Sequence, residues 1–220
     1  MAGLQGLLDS LPPEIRRAVV SKARRRRFAR REVIFHEGDP ADCLHVIDKG
    51  RVAVRVSTEL GDTVTLDVLG RGVAVGELAL VPPRSPRSAT VVALEPTETL
   101  TISSETFDEV CLAHPATVGM LLFALAERNR ALTVRLAEAL FVPVETRVAR
   151  RLAEIDSQEP RGKGAGHPIP VTQDDVASLA GTTRESANRV LRRLAEAGAI
   201  ELRRGSLLVL DRDELARRSR

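Results

Sequence analysis

The sequence has no tryptophan and no tyrosine, and five phenylalanines are its whole aromatic content. Proteins that hold single-stranded nucleic acid by base stacking need exposed aromatic faces, so this composition argues against that class. Cysteine is scarce as well. Cys43 and Cys111 can form at most one bridge, and neither stands in a C-x-x-C pair or beside a histidine at metal-ligand spacing. No metal site is expected, and both cysteines read as buried hydrophobes. Long apolar runs are missing too. Residues 1–6 lack the basic start and apolar stretch of a secretory signal, so the expectation is a cytoplasmic protein without a membrane partner.

An excess of one charge is nearly absent: 33 basic against 30 acidic residues leave a net charge of +3. The excess is not spread evenly. Residues 1–142 carry 18 of each sign, whereas residues 143–220 carry 15 basic and 12 acidic groups, which hints at a polyanion-facing module in the last third. The 220 residues, 43% hydrophobic and 29% charged, have an ordinary globular balance with room for two domains, which disfavours disorder and fibre.

Between Glu32 and Ile102 lie short β-branched runs: Val33-Ile34-Phe35, Leu44-His45-Val46-Ile47, Val52-Ala53-Val54-Arg55-Val56, Val64-Thr65-Leu66-Asp67-Val68, Ala89-Thr90-Val91-Val92-Ala93 and Thr99-Leu100-Thr101-Ile102. Turn signals at Gly38-Asp39-Pro40, Lys49-Gly50 and Leu60-Gly61-Asp62 punctuate them, which predicts an antiparallel sandwich or barrel. Ser10-Leu11-Pro12-Pro13-Glu14 opens a helix running to Ala23. The four arginines at 24–27 that follow read as a solvated helix end or strand edge.

A short capped helix is expected at Ser104-Glu105-Thr106-Phe107, and a long one from Pro115 to about Phe141. Val118, Leu122, Leu125, Asn129, Leu132, Leu136 and Ala139 alternate spacings of four and three along it, a seam of about three heptads. A polar Asn in such a seam favours one register and two strands, so a dimerisation helix is preferred over one packed on its own β domain. Pro143 marks a hinge. Residues 144–155 form a further helix, and the Pro/Gly-rich stretch at 160–168 reads as a linker, because it lacks the Gly-Lys-Ser/Thr ending of a phosphate loop.

Residues 172–191 carry the pattern of a helix-turn-helix: Thr172 with Asp175 as a capping box, small Ala177 at the crossing, and Gly181 in the turn. Thr182 or Thr183 starts the second helix. Its apolar stripe is Ala187, Val190, Leu191 and Leu194, leaving Arg184, Glu185, Asn188 and Arg189 to face outward near the N-terminus. Arginine can form a fork to guanine, and glutamate can accept from cytosine N4, so these read as base-reading side chains. The competing reading is a surface helix with a Glu185–Arg189 pair. After Gly198, two apolar runs flank Arg203-Arg204-Gly205-Ser206 as a hairpin, a wing with a basic tip suited to DNA phosphates.

A second constellation is Gly76-Glu77-Leu78 followed by Arg87-Ser88-Ala89. A turn of helix after Gly76, the Arg87 guanidinium and the Ser88 hydroxyl suit one phosphate, with Glu77 an acceptor for a sugar hydroxyl. From spacing alone, a Pro-rich surface loop with an Arg–Glu pair fits equally well.

Over nearly its full length the chain resembles the cyclic-AMP receptor and fumarate–nitrate regulator (CRP/FNR) family of bacterial transcription factors. The resemblance rests on Gly38, Gly50 and Gly72 of a β-roll, the two halves of the cassette at 76–78 and 87–89, and Arg184, Glu185 and Arg189 of a recognition helix. It implies an α+β chain: a jelly-roll-like cyclic-nucleotide-binding β-roll (1–114), a central dimerisation helix and hinge (115–142), and a winged helix-turn-helix (143–220). It further implies a homodimer whose binding to palindromic double-stranded DNA is controlled by cyclic AMP, with RNA polymerase as a further partner and no enzymatic activity. Gly76, Glu77, Leu78, Arg87, Ser88, Ala89, Arg128 and Thr133 would contact the nucleotide; Thr182, Thr183, Arg184, Glu185, Asn188, Arg189, Arg203 and Arg204 would contact DNA. Leu132 departs from the family's threonine, which removes one adenine contact. The alternative is a member that binds DNA without cyclic AMP, its pocket vestigial or holding another effector. No cysteine precedes Cys43, which argues against an iron–sulfur sensor, and His36, His45 and Cys43 lie among β segments, which argues against haem.

Overall fold

The computed structural model describes residues 4–5, 11–59, 61–80, 85–158 and 168–219. Residue Ser10 and most of the expected linker lie outside them.

The β-branched runs form two antiparallel sheets. One orders β1 (Leu4–Gln5), β7 (Val73–Val75), β4 (Cys43–Lys49), β9 (Thr97–Ser103) and β2 (Arg24–Phe28). The other orders β3 (Val33–Phe35), β8 (Thr90–Ala93), β5 (Val52–Ser57) and β6 (Thr63–Leu69). Phe28, Ile34, Ile47, Val52, Leu69, Val73, Val75 and Val91 pack between them. The arginine run at 24–27 is a strand edge: it forms β2, hydrogen-bonded to β9 alone, with all four arginines exposed. An edge strand of charged residues resists pairing with another sheet.

Helix α1 (Pro13–Lys22) starts with proline in its first turn and buries Ile15 and Val19. Helix α2 (Ser104–Ala113) is capped by Ser103, whose Oγ accepts from Thr106 N–H at 3.2 Å. Both pack on the outer face of the first sheet with Leu44, Val46, Ile102 and Leu121. Helix α3 (Ala116–Phe141) buries only Thr117 and Leu121. Its heptad face is open: Val118, Leu122 and Leu136 are more than half exposed.

Helices α4 (Val144–Ser157), α5 (Gln173–Leu179), α6 (Arg184–Glu196) and α7 (Arg212–Arg218), with the hairpin β10 (Ile200–Arg203) and β11 (Ser206–Val209), form the C-terminal unit. Its core, built on Val148, Leu152, Ile169, Leu191 and Leu194, continues without a break onto Ala53, Val68 and Leu94 of the second sheet. Helix-turn-helix and β-roll therefore share apolar burial.

The conformation at Gly50 ends β4 and starts β5. Its φ is +83°, and a methyl group there would lie 2.6 Å from Thr97 Oγ1 and 2.7 Å from Pro96 O. Gly50→Ala should lower stability by about 2–4 kcal/mol, through left-handed strain plus overlap with backbone. Urea unfolding of the two proteins side by side checks this; an unchanged midpoint would show that the hairpin can open to admit the methyl.

Candidate effector pocket and nucleic-acid interface

Gly76 follows β7 with φ +80°, and a methyl on it would sit 2.4 Å from Arg87 Nη1. Only glycine leaves room for the guanidinium. Arg87 lies over the Phe35 ring, 4.2 Å from its centroid, and Nη1 donates to Gly76 O at 3.2 Å. Nη2 is 3.5 Å from Cys43 Sγ and 3.5 Å from Asp42 Oδ1. The main chain fixes the position: Arg87 N–H donates to Asp39 O and Gly38 N–H to Arg87 O, each at 2.8 Å. Arg87 is buried, yet its Nε has no hydrogen-bond partner among the described residues. A buried cation with an unfilled donor is suited to an anion.

Glu77 is also buried and opens a 3-10 turn, Glu77–Leu80. Its carboxylate pairs with Arg128 of α3, not with Arg87, so the loop-bound Arg–Glu pair considered from spacing is not formed. Gly76, Glu77, Leu78, Arg87, Ser88, Ala89 and Arg128 all line one cavity, floored by Val54, Leu66 and Leu69 of the second sheet. The cavity holds about 100 Å³, below the roughly 300 Å³ at the small end of ligand pockets. Glu77 and Arg128, paired with each other, both stand in its lining. Thr133 lies outside the cavity; it is exposed and its Oγ1 donates to Asn129 O at 3.0 Å.

Cys43 and Cys111 are half-buried, not fully buried as expected. Cys43 begins β4 beside exposed Asp42, and Cys111 sits at the margin of the helical cluster. Burial pushes the Cys43 thiol up, and Asp42 adds to that, so it is a thiol and not a thiolate. His45, by contrast, is buried between the Phe28 and Phe35 rings, with Nδ1 3.1 Å from Thr99 Oγ1. It is part of the wall. His36 is exposed.

In the C-terminal unit the capping box forms: Asp175 N–H donates to Thr172 Oγ1 at 3.1 Å, and Thr172 N–H to Asp175 Oδ2 at 2.9 Å. Thr182 N–H closes the turn on Ala177 O, and Thr183 caps α6 by accepting from Ser186 N–H at 3.3 Å. Ala187, Val190, Leu191 and Leu194 are buried; Arg184, Glu185 and Arg189 are exposed, and Asn188 is half-buried. Arg184 Nε is 3.3 Å from Asp174 Oδ1, and Arg189 Nη2 donates to Ser186 Oγ at 3.1 Å. Among the described residues no ion pair joins Glu185 to Arg189. On the wing, Arg203 forks onto Glu201 at 2.8 and 3.0 Å, and Arg204 is exposed at the turn.

Sequence reasoning missed the residues that join the units. Arg147 is buried, and donates to Val142 O (2.8 Å), Ala139 O (3.1 Å), Ala180 O (2.8 Å) and Gly181 O (3.2 Å), tying the end of α3 to the helix-turn-helix turn. Arg151 pairs with Glu138 and, at 2.7 Å, with Glu154; Arg135 reaches Glu154 at 3.4 Å and Asp67 of β6 at 3.2 Å. The signal was present: Arg147 and Arg151 stand one turn apart beside Val148 and Leu152 on the apolar side of their helix.

The chain's residues 25–114 match the family model of the cyclic nucleotide-binding domain, and residues 146–218 that of the Crp-like helix-turn-helix domain. It is 32% identical over 203 residues to the cyclic AMP receptor protein of Thermus thermophilus, covering 92% of this chain and 91% of the relative. The chain belongs to the CRP/FNR family. It is a DNA-binding transcription regulator with a cyclic nucleotide-binding domain. A CRP-like cAMP-activated global transcriptional regulator of Mycobacterium tuberculosis is 28% identical over 217 residues, 98% of this chain and 96% of that one. The fold also matches the c-di-GMP responsive global regulator CLP of Xanthomonas campestris, with a TM-score of 0.71 at 24% identity over 90% of this chain and 99% of that one. No helix among the described residues is long and apolar enough to cross a membrane.

Burial lowers the pKa of His45 from 6.5 to about 4, helped by the charges of Arg26 and Arg87. The unfolded chain therefore takes up a proton near pH 6.5 that the folded chain refuses until about pH 4. Stability should fall across that window, by about 3 kcal/mol in total, and gain nothing from this group above it. His45→Asn should flatten this part of the pH profile; denaturant midpoints at pH 7.5, 6 and 4.5 read it, and equal slopes in both proteins would refute the assignment.

Proposed function

We propose that this regulator is a homodimer whose operator binding is controlled by cyclic AMP held in the cavity between β-roll and α3. The observation that carries the reading is Arg87, a buried guanidinium stacked on Phe35 with an unfilled donor, in one cavity with Glu77, Ser88 and Arg128. Arg87 and Ser88 would hold the cyclic phosphate, Glu77 the ribose hydroxyl, and Arg128 would turn from Glu77 to the phosphate. Thr133 would reach the base across the dimer. Homodimer formation is supported by the open apolar face of α3 with Asn129 in its seam. In this reading residues 1–114, 115–142 and 143–220 are the effector, dimerisation and DNA-binding units, acting in the cytoplasm with RNA polymerase as a further partner.

Thr182, Thr183, Arg184, Glu185, Asn188 and Arg189 would enter the major groove, with Arg203 and Arg204 on phosphates. Control is supported by the strands beneath the cavity. Val54 and Leu66 line it, while their neighbours Arg55 and Thr65 meet Asp175 of α5 from the other face of the sheet, at 3.0 and 2.7 Å. A ligand that orders this wall also orders the seat of the helix-turn-helix, and that seat leaves the outward face of α6 free. The ligand then shifts the equilibrium only by its preference for the seated state.

Calorimetry with cyclic AMP and cyclic GMP, followed by gel shift on a palindromic duplex selected from a randomised pool, tests both halves. Cyclic AMP should bind and tighten the shift about 5- to 100-fold, and Arg87→Ala should abolish both effects. No heat and no change in the shift would leave a DNA-binding regulator that answers to another effector. Arg55→Ala should leave cyclic AMP binding nearly intact but reduce its effect on the shift about 5-fold or more; full retention of the effect would show that the wall does not transmit it.

A further inference from the structure

Among the described residues the other buried arginines are met by oxygen. Arg151 pairs with Glu138 and Glu154, Arg147 donates to main-chain carbonyls of two elements, and Arg51 lies 3.3 Å from Glu95 Oε1. Arg87 is met differently. Nη2 donates to Cys43 Sγ at 3.5 Å, its one hydrogen-bond acceptor among the described residues, and Nε has none. The carboxylate beside it, Asp42, stands 3.5 Å away with its side chain 79% exposed, so water screens it.

The sheet fixes Cys43. It opens β4 opposite Ser103 of β9, and Ser104 N–H donates to Asp42 O at 2.9 Å. Its Sγ is 3.7 Å from Nε2 of His45, whose ring is buried against Phe28 and Phe35. Arg87 lines the cavity and Cys43 does not, so the thiol meets the site through the guanidinium alone. Sulfur is a weak, polarizable acceptor. It fills the space beside Nη2, yet satisfies the charge far less than a carboxylate would. A carboxylate in its place would give the guanidinium a charge-assisted bond before any ligand arrives, and an incoming anion would have to replace that bond. With sulfur there, a bound phosphate supplies the charge-assisted bonds that the buried guanidinium otherwise lacks.

We propose that Cys43 is the positioning residue for Arg87: it holds the guanidinium in place as a neutral, weak acceptor and leaves the charge for the cyclic phosphate, so the side chain at position 43 sets effector affinity without touching the effector. The inference rests on the reading of the cavity as a cyclic-nucleotide site. It gives a use to a cysteine that stands in no bridge, and it makes the softness of the sulfur, not its reactivity, the property that matters.

The test compares Cys43→Asp with Cys43→Asn in the full chain, a pair close in size that differs in charge. Calorimetry should show cyclic AMP binding to Cys43→Asn within about threefold of wild type, and to Cys43→Asp about 10- to 100-fold more weakly. Thermal melting without ligand should run the other way: pairing with Arg87 should hold Cys43→Asp at or above the melting temperature of Cys43→Asn. Weaker binding in the variant that melts no lower is a combination that lost packing does not produce. Equal affinity of the two variants for cyclic AMP overturns the proposal. So does a Cys43→Asp that melts below Cys43→Asn, because its carboxylate then has no hold on Arg87. A wild-type chain that takes up no cyclic AMP overturns the reading of the cavity, and this inference with it.

Discussion

The carboxylate of Asp175 has two occupations, and the arrangement of the whole chain depends on both. It closes the capping box that starts α5, and it accepts from Arg55 Nη2 and Thr65 Oγ1 of the β-roll. Burial raises its pKa, but hydrogen bonds from the Thr172 backbone, from the Thr65 and Thr172 hydroxyls, and the Arg55 charge outweigh it and hold the carboxyl below the usual range. The group is therefore charged wherever the protein is folded near neutral pH. Losing its partners on one side alone would leave a buried charge incompletely met, a penalty that disfavours intermediate placements of the helix-turn-helix. A local device for starting a helix thus also specifies where that helix sits.

The rest of the joint follows the same pattern. Arg147 occupies carbonyl oxygens at the end of α3 that have no intrahelical donor, and the same side chain takes those of Ala180 and Gly181. Asp67, Arg135, Glu154, Arg151 and Glu138 form a chain of charges from β6 through α3 to α4. Buried ion pairs of this kind contribute little net stability against apolar packing, but they are intolerant of a shifted register. Beside them Ala53, Val68 and Leu94 supply apolar burial that is indifferent to exact placement. Burial holds the units together, and the charges select one way of doing so.

The periodicities in the sequence carried most of the fold. Val33–Phe35 is found as expected, and β4, β5, β6, β8 and β9 fall where the β-branched runs lie, within two residues at their ends. Strand β7 was not foreseen, because Val73-Ala74-Val75 is a continuous apolar run of three residues with nothing to distinguish it from a loop that packs inward. The cavity's residues were legible because they belong to two short motifs. The Glu77–Arg128 pair was not, since its members are 51 positions apart and nothing local to either side chain names the other. Asp175 was recognised for its cap and missed for its dock for the same reason: capping is written in neighbouring residues, docking is not.

Thirty of the 33 basic residues are arginine, and the joint shows why that choice matters. A lysine at Arg147 would offer a compact ammonium where a planar fork spans carbonyls of two elements; it could satisfy one and abandon the other. A buried lysine would also lose its proton readily, whereas a guanidinium keeps its charge. The joint is built from arginine and carboxylates, with no histidine among the described residues that form it. The small net charge of +3 is misleading in the same way: most arginines at the joint are neutralised in place, while exposed arginines with no ion pair among the described residues, Arg189 of α6 and Arg204 of the wing among them, are left to face solvent.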